Sequence, residues 1–185
     1  MAPRAPAGPR PGELLGLKWP DLVLPEEPGV SGEACIRRSV SLVWGKPYLR
    51  ETTKTGKGRP VHLLPEAVQA LRAHRKRQLE ARLRYAGLLE EHDLVFPSKS
   101  GSPMDRDNLA ARHFKPLLKC AELPDIRLYG LRHTFATLWL ESGEHPKVLQ
   151  EILGHSRISV TLDIYSHAIP PMQREAMGRF GQMVT

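Results

Sequence analysis

A chain of 185 residues, 41% of them apolar and 25% charged, has enough material for one domain with its own core, and its composition is that of neither a disordered nor a disulfide-stapled protein. The net charge of +7 and pI near 9.7 suggest a polyanionic partner, of which nucleic acid is the usual one. No apolar run reaches membrane-spanning length, residues 1–12 hold no signal-peptide core, and Cys35 and Cys120 lie far apart without metal-ligand spacing, so the sequence reads as cytoplasmic, with free thiols.

In chain order, residues 1–9 are rich in proline, alanine and glycine, and no conventional helix is expected before Gly12. Residues 13–19 (ELLGLKW) read as a short apolar helix stopped by Pro20, and residues 25–33 as a loop. Residues 35–44 carry Ile36, Val40, Leu42 and Val43 and read as a strand, which Gly45-Lys46 turns back into a second strand over 48–53. A further turn at 55–58 leads to a third strand over 60–64, with Pro60 at its start. The expectation is an antiparallel meander with Lys54 at its second turn.

The remainder reads as helical. Pro65 suits a first helical position, and residues 66–85 make a helix crowded with cations. After an extended piece at 93–96, Asp105 is placed to cap a helix running to about Ala121. Residues 129–142 form a strongly apolar helix closed by Gly143, Pro146 opens another that ends at Gly154, and residues 159–167 begin a last one before a polar tail. The fold class predicted is α+β, mainly α, with a small three-stranded antiparallel sheet.

Charge is concentrated as well as abundant. Between Arg50 and Arg84 there are ten lysines or arginines against three acids, a local excess equal to that of the whole chain. Such a patch favours a binding surface, although the stretch 72–84 can equally be a solvated helix face. The eight histidines are scattered without H-x-x-x-H spacing, so neither a metal site nor a cofactor is expected.

Three segments carry the functional signal: GPRPGELLGLKW over 8–19, YGLRHTFATLWLESG over 129–143, and LGHSRISVTLDIYSHA over 153–168. Together they resemble the motifs of the tyrosine recombinase, or phage integrase, family, which shows G-x-R-x-G-E-L, then H-x-L-R-H-T, then L-G-H-S followed about ten residues later by a tyrosine. The three occur in the family's order, with the basic hairpin between the first two. The resemblance implies the integrase-type catalytic fold and site-specific DNA recombination or integration. In that reaction a tyrosine attacks the phosphate, leaving a 3′-phosphotyrosine and a free 5′-hydroxyl. Matched position by position, Arg10 and Arg132 correspond to the two catalytic arginines, His155 to the histidine of the third motif, Tyr165 to the nucleophile and Lys54 to the general acid of the hairpin, with Lys57 as the competing lysine. Tyr129 stands where the family usually has a histidine.

The chemistry accounts for these residue types. Two permanently charged, forked guanidiniums suit the non-bridging oxygens of a phosphodiester whose transition state gains negative charge. A tyrosine hydroxyl with a pKa of about 10 needs a positive surrounding or an acceptor before it attacks. The departing 5′-oxygen needs a proton, which a lysine can deliver. Singly, each residue has a plain explanation: Arg10 as a tail cation, His155 as a partner of a helix C-terminus, Tyr165 as a packing aromatic, and His133 as structural. Their joint occurrence in order outweighs these.

The resemblance further implies double-stranded DNA as partner, a homotetramer on two DNA sites, and no metal or small-molecule cofactor. Residues 1–9 are expected to be a disordered or truncated leader, 10–168 the catalytic domain, and 169–185 a tail docking on a neighbouring subunit. Because resembling integrases carry a helical DNA-closing domain before the first motif and only nine residues precede Arg10 here, a truncated integrase is expected. Two competing functions follow: a catalytically impaired DNA-binding remnant of the same fold, and a related monomeric topoisomerase, against which L-G-H-S and the tail weigh.

Overall fold

Two small antiparallel sheets and a set of helices make up the described part of the computed structural model, which covers residues 8–53, 56, 58–85, 89–164, 177–178 and 180–184. The first helix, α1 (Pro11–Leu15), starts two residues before the expected Glu13, because Pro11 occupies the first helical position, where its missing N–H costs nothing, and it ends at Leu15 with Gly16 as its C-cap instead of running to Trp19. A single 3₁₀ turn (Trp19–Asp21) leads into β1 (Leu22–Val23).

The strand expected over 35–44 is divided. β2 (Gly32–Ile36) pairs with β1 on one side and with β5 (Arg59–Leu63) on the other, whereas β3 (Ser39–Val43) pairs only with β4 (Lys46–Arg50). The break falls at Arg37-Arg38. Arg38 donates to Asp21 at 2.7 Å and to Glu51 at 2.6 Å, and these ion pairs hold the chain out of a continuous ladder. The three-stranded antiparallel sheet is therefore β1-β2-β5, with Ala34 opposite Val61 in register, and the foreseen meander is replaced by this sheet plus a separate hairpin. The hairpin leans on α1 closely enough that a Cβ on Gly12 would stand 2.5 Å from the Val40 carbonyl oxygen.

Proline at the first helical position also opens α2 (Pro65–Arg84). This is the cation-rich helix, and several of its charges are spent within the chain. Arg72 donates to the Pro25 carbonyl at 2.8 Å, Arg75 lies 5.3 Å from the centre of the Trp19 ring, and Arg82 pairs with Asp93 at 3.8 Å. Asp105 caps α3 (Arg106–Leu109) through the Asp107 N–H, and the helix runs on through a π turn (Ala110–Phe114) into α4 (Lys115–Cys120), close to its expected end. Helices α5 (Gly130–Glu141), α6 (Pro146–Leu153) and α7 (Ile158–Ile164) follow.

Two apolar cores result. Leu17, Trp19, Ala34, Ile36, Val61, Leu63, Ala67, Val68 and Val95 pack between the three-stranded sheet and α2, and Ala136, Leu140, Leu149 and Leu153 pack between α5 and α6. Helix α6 belongs to both: Ile152 packs against the first cluster, and its neighbour Leu153 lies in the second. The backbone at 152–155 thus runs along the seam between the cores.

Candidate active site

The seam is where the charged residues gather. On α5, Arg132, Ala136 and Leu140 are buried at intervals of one turn, so the apolar stripe of this helix carries a guanidinium at its N-terminal end. Arg132 is only 2% exposed. It donates through one terminal nitrogen to the Gly8 carbonyl and through the other to the Leu153 carbonyl at 2.6 Å. The Leu153 carbonyl is one of the last in α6, left without an intrahelical partner, and a cation is favoured there. Burial, followed by the nearby charge of Arg10, brings the Arg132 guanidinium down to about 10, which leaves it protonated at neutral pH.

Arg10 is the N-cap of α1 and lies under the influence of one carboxylate. Glu13, 3% exposed, accepts from the Arg10 backbone N–H at 2.8 Å and from its guanidinium at 3.0 Å. The same carboxylate receives a second arginine: Arg59 donates to its two oxygens at 2.7 and 3.2 Å. Burial by itself would raise the Glu13 carboxyl, but the hydrogen bond and charge of Arg59, joined by those of Arg10, hold it below the ordinary carboxylate range.

His155 completes the group. It follows Gly154, whose left-handed φ of +64° ends α6. Its Nδ1 lies 2.8 Å from the hydroxyl of Thr161, a fully buried residue of α7, and its backbone carbonyl accepts from Gln150 at 2.9 Å. Burial, and then the charges of Arg132, Arg10 and Arg59, push the imidazole down to about 4, so it is neutral at physiological pH. A neutral ring whose Nδ1 accepts the threonine proton keeps an N–H on Nε2 to offer an incoming oxygen. Tyr129 caps α5 one turn before Arg132, with its ring edge-on to His133 at a centroid distance of 5.0 Å.

Of the residues named from sequence, the fold thus brings Arg10, Arg132, His155 and Tyr129 into one neighbourhood. Lys54, Lys57 and Tyr165 lie outside the described residues. Sequence reading missed two members of the cluster, Arg59 and Thr161. Arg59 sat in a run of turn and strand residues among several equivalent cations, and no spacing rule separates it from them. The Thr161 signal was its place six residues beyond His155 on the next helix, which only the turn geometry at Gly154 makes into a contact. Among the described residues no group of histidine, cysteine, aspartate or glutamate is arranged to hold a metal ion.

Comparison with known proteins identifies the family and the fold. The profile of the phage integrase family matches residues 6–170. A tyrosine recombinase XerC-like protein of Caldanaerobacter subterraneus subsp. tengcongensis is 33% identical over 183 residues, covering 92% of this chain and 45% of that protein. The solved structure of the Tn1549 transposon integrase in complex with circular intermediate DNA superposes with a TM-score of 0.69 at 26% identity, over 94% of this chain and 56% of that one. The XerA recombinase crystal structure superposes with a TM-score of 0.64 at 28% identity, over 94% of this chain and 54% of that one. The chain spans about half the length of the relatives it matches.

Proposed function

The chain belongs to the phage integrase family of tyrosine recombinases, and we propose that it cuts and rejoins DNA at a specific site through a covalent 3′-phosphotyrosine. The observation that carries this is the convergence of Arg10, Arg132 and neutral His155 at the seam between the two cores, with charges close enough to shift one another. In this reading the two guanidiniums hold the non-bridging oxygens of one phosphate, and His155 Nε2 donates to the same group. The Tyr165 oxygen bonds to phosphorus as the bond to the 5′-oxygen breaks. Lys54 gives the leaving oxygen its proton, and the tyrosine's own proton passes to a nearby acceptor. Attack by a second strand's 5′-hydroxyl reverses the step, and because the phosphotyrosine preserves the energy of the broken linkage, no ATP is needed.

Residues 10–168 are the catalytic unit in this reading, and the partner is double-stranded DNA bound by a homotetramer on two sites. Support for a docking tail over 169–185 comes from Met177, Phe180, Met183 and Val184, apolar side chains that all face solvent in the single chain. Cytoplasmic action fits the free thiols of Cys35 and Cys120 and the absence, among the described residues, of a helix long and apolar enough to cross a membrane.

One observation favours the weaker reading, a DNA-binding remnant: Arg132 is nearly sealed from solvent, with two of its donors on carbonyls. A nicked duplex that traps the cleaved state separates the two. A covalent protein–DNA adduct that Tyr165→Phe abolishes supports the enzyme. Salt-sensitive binding with no adduct, under conditions where DNA is saturated, supports the remnant.

A further inference from the structure

We propose that Arg59 is a positioning residue: by gripping Glu13 with both terminal nitrogens and the Ile152 carbonyl with Nε, it fixes the Arg10-bearing turn and the His155-bearing turn at one separation. Only the name of the reaction it serves rests on the recombinase reading.

The geometry is that of a rivet. Glu13 is 46 residues from Arg59 in sequence and Ile152 is 93 residues away, so one guanidinium at the first residue of β5 joins α1, the sheet and the C-terminus of α6. The planar fork meets the carboxylate with two nitrogens while the third nitrogen reaches a carbonyl at 3.0 Å, an arrangement a lysine ammonium cannot reproduce. Space for the fork is made at the residue just before His155. A Cβ on Gly154 would stand 2.7 Å from the Arg59 guanidinium carbon, so glycine there serves both the left-handed backbone and the passage of this side chain. All three bonds go to protein groups, so Arg59 acts on the phosphate site through others: through Glu13 on Arg10, and through the 152–154 backbone on His155 and on the Leu153 carbonyl that receives Arg132.

An ordinary structural ion pair would give only lost stability when broken, and the test is built to tell the two apart. Single-turnover cleavage of a nicked duplex by Arg59→Lys should fall about tenfold or more while duplex affinity stays within about threefold, a loss in the chemical step without a loss in binding. The Arg10→Lys/Arg59→Lys double variant should cleave no more slowly than Arg10→Lys alone, because residues acting as one unit are not additive. Wild-type cleavage by Arg59→Lys, or losses that multiply in the double variant, overturn the proposal.

A second measurement needs no DNA. His155 is faced by Arg132 from α5, Arg10 and Glu13 from α1, Arg59 from β5 and the Thr161 hydroxyl from α7, and its midpoint of about 4 can be followed by NMR of labelled imidazole. Arg59→Gln removes one of the facing cations and loosens the turn, and the midpoint should rise toward the ordinary histidine value. An unchanged midpoint in a folded variant contradicts the role. If stranding Glu13 unfolds that variant, Arg59→Lys keeps the charge but loses the fork, and its histidine midpoint should still rise as the loosened turn admits water; a midpoint held at about 4 contradicts the role. If the wild-type chain forms no adduct yet the midpoint responds, the positioning role stands and the cleavage reading falls.

Discussion

Glu13 shows how much rests on one side chain. It is a buried carboxylate held between two arginines, and removing it leaves two guanidiniums facing each other in a poorly solvated seam. Breaking one partner of a buried ion pair costs several kcal/mol, so Glu13→Ala should lose about 3 kcal/mol in denaturant unfolding. His155 supplies a pH signature. Its folded midpoint of about 4 is below its ordinary value, so the folded state resists a proton that the unfolded state accepts. The stability this contributes is complete above about pH 6.5, the unfolded midpoint, and drains away as pH falls toward 4. Glu13, also depressed, adds loss of the same sign at lower pH. Unfolding curves collected from pH 7 to pH 4 should therefore show a decline that is shallower in His155→Gln over the upper part of the range.

At the level of elements, the turn between α6 and α7 sets where His155 stands. Gly154→Ala forces a side chain into the left-handed region, at a cost of about 1–2 kcal/mol, and drives a methyl group into the Arg59 guanidinium. Gly29 gives the matching control: its φ is +81° but nothing lies within 4 Å of the place an alanine methyl would take, so Gly29→Ala should carry the backbone strain alone. Gly154→Ala is expected to lose more stability than Gly29→Ala in thermal unfolding, and to lose cleavage activity where the control does not. The helices were the legible elements. Proline at the starts of α2 and α6, Asp105 as a cap and glycine at the ends of α5 and α6 all act through local geometry, which a sequence displays directly. The sheet was less so. The Arg38 ion pairs that divide the long strand depend on Asp21 and Glu51, and the two-residue strand Leu22–Val23 gains its partner only when Ala34 and Glu33 come alongside.

Taken whole, the molecule gathers buried charged residues where two cores touch. Arg10 and Arg132, far apart in the chain, could be paired from sequence only because ordered motifs named them; their shared neighbourhood depends on Ile152 packing in one core and Leu153 in the other. Arg59 escaped notice for the complementary reason, since its importance lies in contacts across the chain and in no local pattern. Charge on the same scale argues for a phosphate partner, because 27 lysines and arginines stand against 20 carboxylates and an excess of +7 remains if every acid is paired. Duplex affinity should fall steeply with salt, with a log–log slope that becomes less negative by about one for each phosphate-contacting cation removed.

The most direct test of the phosphate-holding role is cleavage of a duplex in which one non-bridging oxygen of the scissile phosphate is replaced by methyl, which removes its charge. Arg10→Ala and Arg132→Ala should cleave the natural phosphate about 10²–10³-fold more slowly than wild type. On the neutral phosphate at least one of the two should recover most of that loss, because there is no longer a charge to balance. Equal defects on charged and neutral phosphates, in folded variants that still bind the duplex, would contradict the assignment of these arginines to the reacting group.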